Sequence, residues 1–376
     1  MRWLLAPDSY KGSLEAAAVA EAMQRGIERA DPQAECLLRP MADGGEGTQD
    51  ALYAAVGGQW LQFPVCNATG GTIMAPCLLL PDGTAVLEVA RIIGLPEAGD
   101  SPVAQRSSRG VGQMLAALLQ SGQRRIAVAL GGSSTNDGGA ACLAALGLQL
   151  LNAQGQRLDG ALQDLSQLFT LDADGLLQAF ADVELEIWSD VDNPLSGPRG
   201  ATAVFGPQKG VAAADIARID GEITHFAQLL DARLQRDTRH LPGSGAAGGL
   251  GYAMLLLGGR MQSGAQAVAR HLGLAAALQR VDWVFSGEGR SDSQTLAGKA
   301  PACVAALARA AGVPVSLLSG AVIADEQGAL AGSFDGCYSL CNRPMSLDRA
   351  MQEAPQRLAQ LAEQVARTIL AAQAGA

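Results

Sequence analysis

Lysine is scarce in this chain: of its 27 basic residues only Lys11, Lys209 and Lys299 are lysines, the rest being arginine. Aromatic residues make up only 4%. A core must therefore be built from Ala, Leu, Val and Gly, the palette of α/β proteins with close helix–sheet packing. The seven cysteines (Cys36, Cys66, Cys77, Cys142, Cys303, Cys337 and Cys341) are odd in number and contain no C-x-x-C pair. The three histidines, His225, His240 and His271, lie far from them in sequence. A structural zinc site and a disulfide framework are both excluded on that pattern. The cysteines read instead as small hydrophobes in a reducing compartment. Positive charge is also lacking: a formal net charge of −10 excludes a nucleic-acid surface, which needs a basic face. No apolar run approaches the roughly 18 residues of a membrane span. The apolar run in MRWLLAPDSYKG is too short for a signal peptide, so the expectation is a cytoplasmic protein without membrane or nucleic-acid partners.

What is present is apolar bulk and glycine. Hydrophobic residues make up 48%, charged residues 17%, and 46 positions are glycine. At 376 residues the chain exceeds what one core usually serves. Residues 2–6 read as a short buried strand. A helix follows, from an N-cap at Ser13 to Ala30, with Val19, Ala22, Met23 and Ile27 at helical spacing and Asp31-Pro32 to stop it. Between 59 and 90 the rhythm changes to hairpin-like strands broken by Pro-Asp-Gly and Asn-Ala-Thr-Gly-Gly turns. Arg109–Gln120 and 212–236 read as helices, and 125–130 and 183–188 as strands. Strand–helix alternation returns in the last third. The expected architecture is α/β, with two α/β domains. One is doubly wound and discontinuous, from residues 1–62 and 282–376. The other is inserted, from 63–281.

The literal G-x-G-x-x-G in PGSGAAGGLG, at Gly243, Gly245 and Gly248, fails as a dinucleotide fingerprint. A charged segment ending in proline precedes it where a strand is required, and no acidic residue stands at the required distance beyond. GGSSTNDGG is different. It follows the buried run RIAVAL and opens a helix, so glycines, backbone N–H groups and hydroxyls can meet an oxyanion. Each lysine touches glycine, in SYKGS, PQKGV and AGKAP, where a compact ammonium on a flexible stem suits phosphate oxygens. The acids cluster in loops after strands: Asp43 and Glu46, Asp137, Asp190 and Asp192, Glu288 and Asp292. Carboxylates beside phosphate ligands point to Mg²⁺. Helix capping is the rival role for each, and it accounts for Asp190 and Asp192 least well.

Taken together and in order, APDSYKGSL, PMADGGEGT, ALGGSSTNDGG, SDVDNPLSG, FGPQKG, PGSGAAGGLG and SGEGRSDSQTLAGKAP resemble the glycerate kinase type I family. The match runs from residue 4 to about 320, departing at Tyr10 and Ser134, where phenylalanine and alanine are usual. The resemblance implies an ATP-dependent kinase converting D-glycerate to 2-phosphoglycerate, in glycolate, glyoxylate or glucarate breakdown. It also implies a flavodoxin-like discontinuous domain, with the active site in the cleft between the two domains. A kinase for another small hydroxy acid, or 3-phosphoglycerate as product, is the alternative.

Phosphoryl transfer needs positioning, charge neutralisation and a group that takes the hydroxyl proton. Asp190 is the expected proton acceptor, with Lys11 and Asp192 as further catalytic groups. Asp8, Ser9, Asp43, Arg91, Arg290 and Lys299 are expected to hold glycerate. ATP phosphates are expected on Gly131, Gly132, Ser133, Ser134, Asn136, Asp137, Lys209, Gly243 and Gly245. Mg²⁺ is expected on Asp190, Asp192 or Asp43, with Glu288 and Asp292 as alternates. The expected assembly is a monomer or small homo-oligomer.

Overall fold

The apolar stretches from the two ends of the chain pair with one another. In the computed structural model, which describes residues 1–296, 298–323 and 327–374, Arg2–Leu5 lies between Glu35–Leu38 and Trp283–Ser286. Val315–Ser319 and Gly336–Ser339 extend this sheet, and all five strands are parallel. Parallel strands covered on both faces read as continuous apolar runs, as RWLL and WVFS do. Trp3, Leu5, Phe285 and Leu318 join one buried cluster with the helices Ala16–Ala30 and Ala354–Ala374. Leu4, Val284 and Leu317 are equally buried and, by the two-residue period of a strand, point to the other face. There the helix Ala300–Ala310 packs against the strands. The helices Ala16–Ala30 and Ala354–Ala374 approach closely because residue 26 is glycine: a Cβ there would sit 2.2 Å from the Ala359 carbonyl oxygen.

These elements form one of two units, comprising Met1–Asp43, Gly47–Gly57 and Ala265–Ala376. The second comprises Gly44–Glu46 and Gly58–Gly264. Its sheet runs Arg260–Gln262, Glu184–Trp188, Arg125–Ala129, Ala85–Glu88, Thr72–Leu79, Gln59–Cys66. The first four strands are parallel, and Thr72–Leu79 runs antiparallel to both of its neighbours, Ala85–Glu88 and Gln59–Cys66. The core of this unit gathers Val111, Leu115, Val128, Ile187 and Phe226, all fully buried. The chain thus has the mixed α/β architecture expected.

Apart from the short Gly44–Glu46 piece, the units divide at 57/58 and 264/265, where 62/63 and 281/282 were expected. The strand Gln59–Cys66 pairs along its whole length with Thr72–Leu79, so it cannot be cut at residue 62. The helix Leu274–Leu278 packs against Ala300–Ala310, which draws it into the first unit. Helix starts also move. The first helix begins at Ala16, because the Ser13 hydroxyl donates to the Met351 carbonyl at 2.8 Å and does not cap it. The long helix covers Ile216–Leu234, preceded by a short 3-10 turn. Arg109–Gln120 is helical as expected. Among the cysteines, Cys77, Cys142 and Cys303 are buried while Cys341 is exposed. No described helix is long and apolar enough to cross a membrane.

Candidate active site

In the first unit, a cavity of about 850 Å³ opens at the carboxyl ends of the parallel strands. Asp8 follows Arg2–Leu5, Glu288 follows Trp283–Ser286, Gly320 follows Val315–Ser319 and Leu340 follows Gly336–Ser339, and all four line it. Carboxyl strand ends are where open α/β sheets bind ligands. Two kinds of wall meet here. One carries Asp8, Ser9, Lys11, Asp43, Glu288, Arg290, Asp292 and Lys299. The other, from residues 340–354 with Ile323, is mostly apolar.

Asp8 is buried, and its carboxyl is pushed up from 3.8 to about 7, first by burial and then by the nearby charge of Asp43. The Ser9 N–H, donating to Asp8 Oδ1 at 2.7 Å, and the Lys11 ammonium oppose that rise. Lys11 is largely exposed and stands 3.9 Å from Asp43. Lys299 stands 4.0 Å from Glu288, and Arg290 3.5 Å from Asp292. Glu288 is held from below. Thr295 Oγ1 donates to its Oε1 at 2.6 Å and Ser291 Oγ at 3.1 Å, while Ser291 shares a 2.7 Å bond with Ser319. Burial raises the Glu288 carboxyl, against those hydrogen bonds and Lys299. The wall is therefore a set of charges fixed at close range, with lysine and arginine side chains still reaching solvent.

The second unit has a smaller cavity of about 320 Å³, lined among others by Gly131, Gly132, Ser133, Ser189, Gln208 and Lys209. Lys209 is buried, and burial lowers its ammonium from 10.5 to about 7; Asp137 opposes this, while Arg106 adds to it. Its Nζ donates to Ser133 Oγ at 3.0 Å and to the Thr135 carbonyl at 2.7 Å. Gly131 is required by crowding: a Cβ there would lie 2.4 Å from the Gly45 Cα.

The residues expected to hold phosphates divide here. Gly131, Gly132, Ser133 and Lys209 line the cavity. Ser134, Asn136 and Asp137 are fully buried and bond within the protein instead. Ser134 Oγ donates to the Ile93 carbonyl, and Asn136 Nδ2 to Thr202 Oγ1. Asp137 accepts the Ser108 and Gly139 N–H groups at 2.8 and 3.0 Å, and burial pushes its carboxyl up to about 6. Gly243 and Gly245 are tight packing positions. A Cβ on the first would meet Met261, and on the second the Pro194 carbonyl at 2.3 Å.

Three more expected residues lie in the second unit. Asp190 is exposed, and its Oδ1 accepts the Gly264 N–H at 3.1 Å, at the first residue of the helix Gly264–His271. That bond ties Asp190 to the start of a helix 74 residues further along the chain. Asp192 forms an exposed pair with Arg199 at 3.4 Å. Arg91 stands 3.7 Å from the buried Glu88 and 5.4 Å from the Trp60 ring centre. Sequence reasoning missed Arg106. Buried, it donates to the carbonyls of Gly99, Ser101, Ser134 and Lys209, tying the phosphate-type loop to the Lys209 turn. Arg106 is one of two arginines in QRSSRG, and nothing in that stretch signals the role. The Ser291 and Thr295 partners of Glu288 stand three and seven residues after it, which is the trace the sequence did carry.

Among the described residues, no three His, Cys, Asp or Glu side chains gather as a metal cage. The donor chemistry still fits Mg²⁺, which needs one or two carboxylates beside phosphate oxygens and water. Asp43, close enough to Asp8 to raise its pKa, supplies such a donor.

The profile of the glycerate kinase family matches residues 3–370. Glycerate kinase of Bacillus subtilis is 38% identical over 376 residues, covering 98% of each chain. Glycerate 2-kinase of Escherichia coli K12 is 36% identical over 374 residues, again with 98% of each covered. A crystal structure titled as a glycerate kinase 2 of Salmonella typhimurium LT2 superimposes with a TM-score of 0.86 at 36% identity, covering 99% of both chains. The chain belongs to the glycerate kinase family and is a kinase.

Proposed function

We propose that this kinase phosphorylates the C2 hydroxyl of D-glycerate at the expense of ATP, in the breakdown of glycolate, glyoxylate or glucarate. The observation that carries the reading is Asp8. It is a buried carboxyl near neutrality that shares one cavity with Lys11, Arg290 and Lys299. A proton acceptor works best when its pKa lies near the working pH. Asp8 takes the hydroxyl proton, the freed oxygen forms the new bond to the γ-phosphorus, and the bond to the β–γ bridging oxygen breaks, releasing ADP. Lys11 and Arg290 meet the acid's carboxylate or the moving phosphoryl group, and Lys299 balances charge beside Glu288. Asp190 gives up the acceptor role because it is exposed and engaged at a helix start. Asp43, with Asp292 or Glu288, would hold Mg²⁺, which when bound neutralises phosphate charge. Gly131–Ser133 with Lys209 form a second anion pocket, large enough for one small anionic group.

The test is an ADP-release assay with Mg²⁺–ATP against D-glycerate, L-glycerate and other small hydroxy acids, with ³¹P NMR of the product. Turnover confined to D-glycerate, with the 2-phosphate resonance, is the expected result. A 3-phosphate resonance moves the product, and turnover on another acid alone moves the substrate. Folded protein that releases no ADP with any acid would reject the reading.

A further inference from the structure

The cavity of the first unit is far larger than a three-carbon acid needs. At about 850 Å³ it falls in the upper part of the range for drug-sized ligands, roughly 300–1,000 Å³. Its two walls differ in chemistry, one mostly apolar and the other carrying Lys11, Arg290 and Lys299 among four carboxylates, so it suits one molecule with an apolar end and a phosphate end that brings a divalent cation. We infer that this cavity seats a nucleotide, its base against the wall formed by Leu340, Leu347 and Met351 and its phosphates toward Lys11, Arg290 and Lys299. The inference deepens the kinase reading above and rests on it.

Three observations support this assignment. The first is topological. The chain leaves Arg2–Leu5 toward Glu35–Leu38 on one side, and leaves the adjacent Trp283–Ser286 toward Val315–Ser319 on the other, so the strand order reverses between these two neighbours. In open parallel sheets a crevice forms at that reversal, outside the carboxyl ends of the strands, and nucleotides bind there. The residues after both central strands, Asp8 and Glu288, line the cavity.

The second is Leu347, 73% exposed although it lines the cavity. It opens the helix Leu347–Gln352, fixed there by its cap Ser346, whose hydroxyl accepts the Arg349 N–H. A large apolar side chain exposed beside a charged wall suits a ligand's flat apolar face. Met351, one turn on, is anchored by the 2.8 Å bond between its carbonyl and the Ser13 hydroxyl, so the apolar wall stands close to the segment that carries Lys11.

The third is the alternative pocket. In the second unit the cavity is about 320 Å³, and the polar side chains of Ser134, Asn136 and Asp137 are engaged inside the protein. That cavity has well under half the volume of the first and stands at the bottom of the range for drug-sized ligands.

The test is calorimetric titration of ADP, in Mg²⁺ buffer, into the full chain and its Leu347→Asp and Leu347→Met variants. Because Leu347 is exposed, neither variant disturbs the core, and circular dichroism confirms the fold. Leu347→Asp is expected to weaken ADP about tenfold or more, since it sets a charge against an apolar ring. Leu347→Met, which keeps the apolar surface, should stay within about twofold of the parent. The KM for D-glycerate should stay within about twofold in both, because uniform binding of the acid is untouched. An ADP affinity unchanged in Leu347→Asp would overturn the inference while leaving the kinase reading standing. So would a rise in the KM for the acid with ADP affinity intact. Photolabelling with 8-azido-ADP should mark the peptide containing residues 347–357; a label on the peptide containing Phe205–Lys209 would overturn it too. A parent chain that binds no ADP at all would overturn both readings together.

Discussion

Lys209 is buried against Thr135, its Nζ donating to the Thr135 carbonyl at 2.7 Å. The same carbonyl is approached closely by Gly248, where an added Cβ would lie 2.0 Å from its oxygen. One backbone group thus joins the GGSSTNDGG loop to the PQKG turn and to the glycine-rich stretch.

Lys209 makes stability depend on alkaline pH. Its ammonium titrates near 7 in the folded chain and near 10.5 when unfolded. Across that window the unfolded chain holds a proton that the folded chain has lost, so the Lys209 contribution to stability rises with pH. Below about 7 both states are charged, and burial of the charge then costs most. Urea midpoints of the parent and Lys209→Met should therefore diverge in slope between pH 7 and 10, the parent gaining more. Parallel slopes would show that Lys209 is not buried as a near-neutral amine.

Gly248→Ala should destabilise the second unit by about 3 kcal/mol, since the φ of +68° is strained for alanine and the clash is with backbone. Gly70→Ala, also at positive φ but in open space, should cost only about 1 kcal/mol. Urea denaturation of both variants checks the difference. Equal losses would mean that close packing at Gly248 is unimportant.

Asp8→Asn should lower kcat about a hundredfold or more, the usual loss when a proton acceptor is removed. The KM for ATP should change little. In the parent, kcat/KM for the acid should fall as pH drops through about 7, where Asp8 becomes protonated, and this limb should vanish in the variant. Asp190→Asn should keep kcat within about threefold, as expected of a group bonded at a helix start. The reverse ranking of these two variants would return the acceptor role to Asp190.

Arg106→Lys should cost about 2 kcal/mol, because one ammonium cannot reproduce the donors that reach four separate carbonyls. Asp192→Ala, which breaks an exposed pair, should change stability by no more than about 0.5 kcal/mol. Thermal denaturation distinguishes them, and comparable losses would count against the buried clamp.

Much of the frame was legible in the sequence because it is local. Apolar runs ending in glycine and acid mark strands whose loops carry polar groups, and the spacing of Val111, Leu115 and Leu118 sets the Arg109–Gln120 helix. The dearth of lysine singled out three positions, each of which lines one of the two cavities. What a side chain does once placed was not local. Ser13 has the chemistry of a cap but meets the Met351 carbonyl 338 residues away. Asp190 reads as a free acid until Gly264 brings its N–H to it. Asp137 and Asp8 sit in similar loops, yet the first is closed off by Ser108 and Gly139 and the second faces a cavity beside Asp43. Periodicity and turn chemistry by themselves determined the elements and the loops between them. Burial, desolvation and partnership between distant segments depend on which strands become neighbours, so only the tertiary structure decided which carboxylate stands near neutrality and which lysine is stripped of water.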